Sequence, residues 1–245
     1  MKLDKFHALI ISLIITALIV GDYIFFTVDA NEREKVRIVR VLDGDTVDLE
    51  DVRTIRLVNI NTPEKKFPYS ELAKNYLLEF KDKDIYLESL GPDKYSRTLG
   101  RLFYEDMYLN KNIIEMGMAH KYLVIEGEEK DFYDAEKIAI EGEIGIWNKS
   151  VYSKCISAEI NKYDEYIEIE DSCGVDFAGW NVKDESTKSY KFKKDVGTKF
   201  ILYSKSGSDN ETALFWGKEK IWNDVGDSIF IRDSSGFLVY YDSYG

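Results

Sequence analysis

The sequence predicts a mainly β chain with a helical minority: a five-stranded barrel of the OB type carrying helices, followed by a separate all-β sandwich. Three observations predict it. VRIVRVLDGDTVDL and VRTIRLVNI alternate apolar and polar residues from Val36 to Ile60, as half-buried antiparallel strands do. Helical patterns then interrupt the strands once and close the first half, where a doubly wound sheet would alternate strand and helix throughout. From Ile156 onward come short β-branched and aromatic runs, separated by Asp, Gly, Ser and Asn clusters, with no helix of consequence.

In chain order, the first feature is MKLDKFHALIISLIITALIVGDYIFFTVDA. Lys2 and Lys5 precede an uncharged run from Ala8 to Val20, and Val28-Asp29-Ala30 has small-residue cleavage spacing. Residues 1–30 therefore read as an export signal, either cleaved or kept as an N-terminal membrane anchor, since the apolar span continues through Tyr23 to Val28. Either outcome predicts a secreted or membrane-anchored protein with its domains outside the cell, at the cell surface or beyond. Cys155 and Cys173 can pair in such a compartment, and a disulfide between them is expected.

The first domain is predicted over residues 32–150. After the opening strands, SELAKNYLLEF predicts a helix with Ser70 as N-cap and Leu72, Tyr76, Leu77 and Phe80 on one face. KDIYLESL and GRLFYEDMYL return to strand on either side of the turn-rich GPDKYSR. NIIEMGMAH and FYDAEKIAIEGEIGIW are helical, and His120 reads as a helix-end residue. The character changes near Asn148 to Lys154, and the second domain is predicted over residues 155–245.

Composition prunes the chemistry. The net charge of -12 is the wrong sign for holding nucleic acid by charge alone. His7 and His120 are the only histidines, so no HExxH zinc site exists and any Ser-His-Asp arrangement would rest on His120. DGDT has two readings. It is a hairpin turn, or Asp45 joins oxygens of Asn61 and Thr62 around a hard cation; it is not an EF-hand, because Val47 and Asp48 stand at its fifth and sixth positions. Arg56 interrupts an apolar strand and Arg97 closes DKYSR, and a guanidinium forks onto phosphate as lysine cannot. Two arginines, a cation and one carboxylate base satisfy phosphodiester hydrolysis, and Glu64 is the base that remains without histidine; it also reads as a surface glutamate after Pro63.

VLDGDTVDL, TIRLVNINTPE, DKYSR, LFYEDMYLNKNIIEMGMAH and GIW resemble, in order and approximate spacing, the staphylococcal nuclease (thermonuclease) family over about residues 36 to 148. The resemblance implies an OB-fold domain that hydrolyses DNA and RNA phosphodiesters with Ca²⁺ and leaves 3′-phosphates. By position it implies Asp45 as a metal ligand, Thr62 as a backbone-carbonyl ligand, Arg56 and Arg97 as catalytic arginines and Glu64 as general base. Lys94 and Tyr95 match substrate-phosphate contacts, and Tyr122 is the nearest match to a further substrate tyrosine, one residue out of register. Asn61 departs from the pattern, standing in INTPE where the family carries a carboxylate. One charge is lost from the cation's shell, so weaker Ca²⁺ binding is expected, and Asn61→Asp is expected to restore it.

DEYIEIEDSCGVDFAGWNVKDESTKSYKF, ALFWG and IWNDVGDSIFIRDSSGFLVYYDSY resemble a lamin-tail domain over about residues 156 to 245. An immunoglobulin-like β-sandwich is what that resemblance implies. Trp180, Trp216 and Trp222 read as core or rim aromatics, and no charged triad or metal-like cluster is expected there. The sequence reading is thus an exported Ca²⁺-dependent nuclease of single-stranded DNA or RNA with a C-terminal interaction or tethering domain of unidentified partner. The rival reading is an OB module that binds nucleic acid or protein at the cell surface and has lost turnover through Asn61.

Overall fold

The structure is a computed structural model that describes residues 33–65 and 67–245. The predicted export segment, residues 1–30, lies outside the described residues.

Five strands close the barrel: β1 (Glu34–Val41), β2 (Thr46–Leu49), β3 (Thr54–Leu57), β5 (Asp84–Pro92) and β6 (Thr98–Tyr104) run in the order β3-β2-β1-β5-β6, with β3 pairing β6 in parallel. The pleat explains their sequences: Val36, Ile38, Val47, Leu49, Ile55, Leu57, Ile85 and Leu87 alternate inward and are buried in one cluster. The short strands β4 (Ile60–Asn61) and β8 (His120–Lys121) pair outside the barrel, Asn61 opposite His120. β7 (Met107–Tyr108) extends the sheet beside β6.

Three helices cover the barrel: α1 (Ser70–Leu78), α2 (Leu109–Glu115) and α3 (Glu129–Glu141). Ser70 is not the cap of α1. That place belongs to Tyr69, which makes no side-chain capping bond and holds a left-handed backbone at φ 67°. Nor does Leu72 face the core; it is 37% exposed, while Ala73, Tyr76, Leu77 and Phe80 are buried. His120 is a strand residue rather than a helix end.

Gly117 and Gly145 fasten the end of the barrel domain. Both have positive φ, Ile146 N–H donates to the Gly117 carbonyl at 2.8 Å, and a Cβ on Gly117 would lie 2.2 Å from the Ile144 carbonyl oxygen. Gly117→Ala therefore forces a backbone movement as well as a left-handed alanine, and it should cost about 2–3 kcal/mol. A urea midpoint unchanged from wild type would refute this.

The C-terminal region is two four-stranded sheets. β9 (Ile156–Asn161), β10 (Tyr166–Asp171), β13 (Lys199–Tyr203) and β14 (Ala213–Phe215) form one, in the order β14-β13-β10-β9. β11 (Asn181–Lys183), β12 (Ser189–Lys191), β15 (Asp227–Arg232) and β16 (Leu238–Tyr244) form the other, in the order β12-β11-β15-β16. Ile167, Ile169, Phe200 and Leu202 from the first meet Val182, Ile229, Ile231 and Val239 from the second in one buried core, which makes the region a β-sandwich. Trp180 and Trp222 are buried in it and Trp216 packs against it. Cys155 and Cys173 are joined by a disulfide with Cα atoms 5.4 Å apart, tying the entry of β9 to the turn after β10.

The sandwich is seated firmly against the barrel. Ile146, Trp147 and Ala139 share an apolar cluster with Phe230 and Leu238, and the rings of Trp147 and Tyr241 meet edge to face at 4.9 Å. Ser150 N–H donates to the Leu238 carbonyl and Leu238 N–H to that of Asn148, so a strand-like rung bridges the linker. Gly236 presses on Pro68, leaving no room for a side chain, and Tyr69 contacts Phe237 edge-on at 6.5 Å.

Candidate active site

The turn between β1 and β2 brings Asp43 and Asp45 together. Asp45 N–H bonds the Asp43 carboxylate at 3.3 Å. Burial, and then the neighbouring Asp45 charge, push the Asp43 carboxyl above its ordinary value. Asp45 is itself buried, and its oxygens accept bonds from the Thr62 N–H at 3.2 Å, the Thr62 hydroxyl at 3.0 Å and the Thr46 hydroxyl at 3.0 Å. Thus the DGDT turn is tied to the segment after β4.

Arg56 sits on β3 opposite Thr46 of β2, and the antiparallel pairing sets its guanidinium beside Asp45, with Nε 3.2 Å from Oδ1. It also donates to the carbonyls of Leu57 and Ile60, the latter at 2.9 Å. A half-buried guanidinium with two carbonyls and one carboxylate is fixed in orientation, as a pre-set phosphate fork must be.

Arg97 is held differently. Asp93 Oδ1 accepts the N–H groups of Tyr95 at 2.8 Å and Arg97 at 2.9 Å, while Oδ2 takes the Arg97 guanidinium at 2.8 Å. Burial disfavours the Asp93 charge, but those donors outweigh it and hold the carboxyl below its ordinary value. The parallel pairing of Arg56 with Leu99 puts the Arg97 turn at the mouth of β6, next to β3. Among the described residues no hydrogen bond or ion pair joins Arg97 to Arg56, Asp45 or Glu64. Lys94 and Tyr95 stand on the same turn, Tyr95 exposed, with the Lys94 ammonium 5.0 Å and the Arg97 guanidinium 5.4 Å from its ring centre.

Glu64 is exposed, and its carboxylate makes no hydrogen bond or ion pair among the described residues, so it is open to an approaching water. Tyr122 is half-buried on the other side of β4. Burial, and then the charges of Glu185 and Asp184, raise its phenol, with Arg56 acting in the opposite sense.

The residue that departs from the family pattern has an unforeseen partner. Asn61 is buried, and its Nδ2 donates to the carbonyls of Glu185 at 2.9 Å and Ser186 at 3.2 Å, both in the sandwich loop after β11. An amide oxygen turned to two carbonyls would be repelled, so the nitrogen must face the loop and Oδ1 is turned from it. The same loop carries three neighbouring acids that no spacing in the sequence announces. Asp184 and Asp227 are buried beside Glu185, whose carboxyl is pushed up to about 7 by burial and then by those two charges. Asp227 stands 42 residues beyond Glu185, and the β11–β15 pairing brings it to the Asp184-Glu185 pair.

The oxygens of Asp43, Asp45, Asn61 and Thr62 are of the carboxylate, amide and carbonyl types that suit a hard cation, and burial together with the nearby Asp45 charge raises the Asp43 carboxyl. This donor set fits Ca²⁺ with few formal charges. Among the described residues no group of three or more acidic, histidine or cysteine side chains gathers as a metal cluster.

A closed five-stranded barrel of the OB type, with an arginine locked beside a carboxylate turn and a free glutamate at its edge, defines the class. The family described as staphylococcal nuclease homologue matches residues 54–149. The chain is 30% identical over 132 residues to an uncharacterized endonuclease of Haemophilus influenzae, covering 51% of this chain and 73% of that protein. It is 37% identical over 91 residues to an uncharacterized endonuclease of Escherichia coli O157:H7 (35% of this chain, 60% of that protein) and 27% identical over 126 residues to a micrococcal nuclease of Shigella flexneri (45% and 72%). The chain belongs to the staphylococcal nuclease homologue family.

Proposed function

We propose that the protein is a Ca²⁺-dependent nuclease that hydrolyses phosphodiester bonds of single-stranded DNA or RNA. The observation that carries this reading is Arg56, fixed by Asp45 and two carbonyls beside a glutamate left free, in a chain whose relatives bear nuclease and endonuclease names. Arg56 and Arg97 present guanidinium forks to the phosphate oxygens, and each strengthens its hold as charge builds on phosphorus. Glu64 removes a proton from the attacking water, while Lys94, Tyr95 and Tyr122 line the strand's approach. Bound by Asp45, Asn61 and the Thr62 carbonyl, with Asp43 nearby, Ca²⁺ would neutralise charge on the phosphate.

The disulfide suits an oxidising compartment and supports export, whether secreted or anchored at the surface. In this reading the sandwich is a lamin-tail-like domain, and its seating on the barrel favours a part in presenting substrate over a loosely tethered role. Digestion of single-stranded DNA by the full chain should proceed with Ca²⁺ and stop in EGTA, and Glu64→Ala should lower the rate by about 10²-fold or more. Activity indifferent to both EGTA and Glu64→Ala would refute the assignment; silence at millimolar Ca²⁺ would favour the binding-module reading.

A further inference from the structure

Two cations of the sandwich are buried on the barrel-facing side, and none of their direct partners is an anion. Lys183, which ends β11, and Arg232, which ends β15, lie 5.6 and 5.9 Å from the ring centre of Phe230. Lys183 Nζ donates to the Asp184 carbonyl at 3.0 Å and lies 3.4 Å from Nε2 of His120; Arg232 Nη1 donates to the carbonyls of Ile146 at 2.7 Å and Gly236 at 3.2 Å. Every one of these partners is uncharged, because burial and then the Lys183 charge keep His120 well below its ordinary value and so neutral. No carboxylate oxygen lies within 4.0 Å of either cation among the described residues. Burial pushes the Lys183 ammonium down to about 8, against the pull of Asp184, Glu64 and Asp227, and the Arg232 guanidinium down to about 10, against Tyr69 and Asp233.

Buried charge without a paired counter-charge is costly, and two such cations, close enough for Arg232 to disfavour the Lys183 charge, attract an anion. At the seam of the two domains a cavity of about 40 Å³ takes Lys183, Arg232, His120, Thr187, Ser189 and Glu64 into a wall that is otherwise mostly apolar. That space holds a few water molecules or one compact ion. A guanidinium, an ammonium and two hydroxyl-bearing residues are a donor set for a tetrahedral oxyanion.

We propose that this cavity is a subsite for a phosphate group, held by Lys183 and Arg232 next to Glu64. The ligand is a terminal phosphate of a nucleic-acid strand or free inorganic phosphate. This rests on the phosphodiesterase reading for its biological ligand, while the anion site itself stands on the two cations and the cavity.

The test is calorimetric titration of the full chain in EGTA with sodium phosphate, against sodium chloride at equal ionic strength. Saturable binding of phosphate alone is expected, with a rise in melting temperature, and Lys183→Met should weaken it about tenfold or more. The variant should fold, because it removes a buried charge that has no paired anion, and without phosphate its melting temperature should not fall; a lysine with only a structural role would give the opposite. On wild-type protein, the Lys183 side-chain resonance should titrate at higher pH with phosphate than without. Phosphate heats equal to those of chloride, or unchanged in Lys183→Met, would overturn the proposal. Binding of a 3′-phosphorylated oligonucleotide over its 3′-hydroxyl twin identifies a strand end as the source; equal competition by inorganic phosphate identifies the free ion. Phosphate binding without any cleavage would remove the nuclease reading and keep the subsite, and cleavage without phosphate binding would do the reverse.

Discussion

Asn61→Asp is expected to loosen the seam between barrel and sandwich rather than simply to repair the cation's shell. The substitution turns a donor into an acceptor facing the Glu185 and Ser186 carbonyls at 2.9 and 3.2 Å, in a buried position. Two hydrogen bonds become two repulsive contacts, and a fourth acid joins a neighbourhood that already holds Asp184, Glu185 and Asp227. The cost should be about 3 kcal/mol, or roughly 6–12 °C in melting temperature for a chain of this size, measured in EGTA. Ca²⁺ should recover part of that loss. Asn61→Ala, which removes the bonds without adding charge, should fall between wild type and Asn61→Asp. A melting temperature that holds or rises in EGTA for Asn61→Asp would show that the carbonyls do not govern the choice of residue.

The second large effect separates the two arginines. Arg56→Ala should lower activity and stability together, whereas Arg97→Ala should lower activity with little loss of stability. Removing Arg56 leaves the buried Asp45 carboxylate without a counter-charge and strands the Leu57 and Ile60 carbonyls, a loss of about 3–5 kcal/mol. Arg97 is paired with a partly exposed Asp93 that keeps its backbone N–H donors without the guanidinium, so the loss should be about 1 kcal/mol. Cleavage should fall about 10²–10³-fold in each, since each removes a donor to the developing phosphate charge. Urea midpoints beside turnover numbers decide it, and an Arg56→Ala protein as stable as Arg97→Ala would contradict the keystone role. Arg56→Lys should rescue little, because an ammonium cannot reach two carbonyls and a carboxylate in one plane.

The barrel was legible in the sequence because its strands bury one face each. Val36, Ile38, Val47, Leu49, Ile55 and Leu57 announce that face by alternation, and β2 and β3 place Arg56 beside Asp45 through a short hairpin. The helix α1 was legible as a helix but not in its details. Ser70 had the chemistry of a cap, yet the tertiary contact of Tyr69 with Phe237 goes with a left-handed Tyr69 at that place. The acid cluster and the buried cations had no periodic signature, since each depends on how sheets pair and on which face of the sandwich meets the barrel. Asn61 could be seen as a departure from the family pattern, but its partners are more than a hundred residues away. No spacing rule reaches that far. A buried asparagine where an acid is usual, with an appended domain downstream, was the available signal.

Trp147 and Ile146 complete the barrel domain in sequence, yet their cover is Phe230 and Leu238. During synthesis the barrel can close as soon as its own strands have emerged. Its last turn must then wait for the far end of the sandwich, on the order of ten seconds at ordinary elongation rates. For that interval a tryptophan and an isoleucine face solvent, the kind of surface that chaperones hold and that sticks to other nascent chains. Cutting the chain after Ser150 would make this waiting state permanent, so the barrel's solubility belongs to the whole polypeptide.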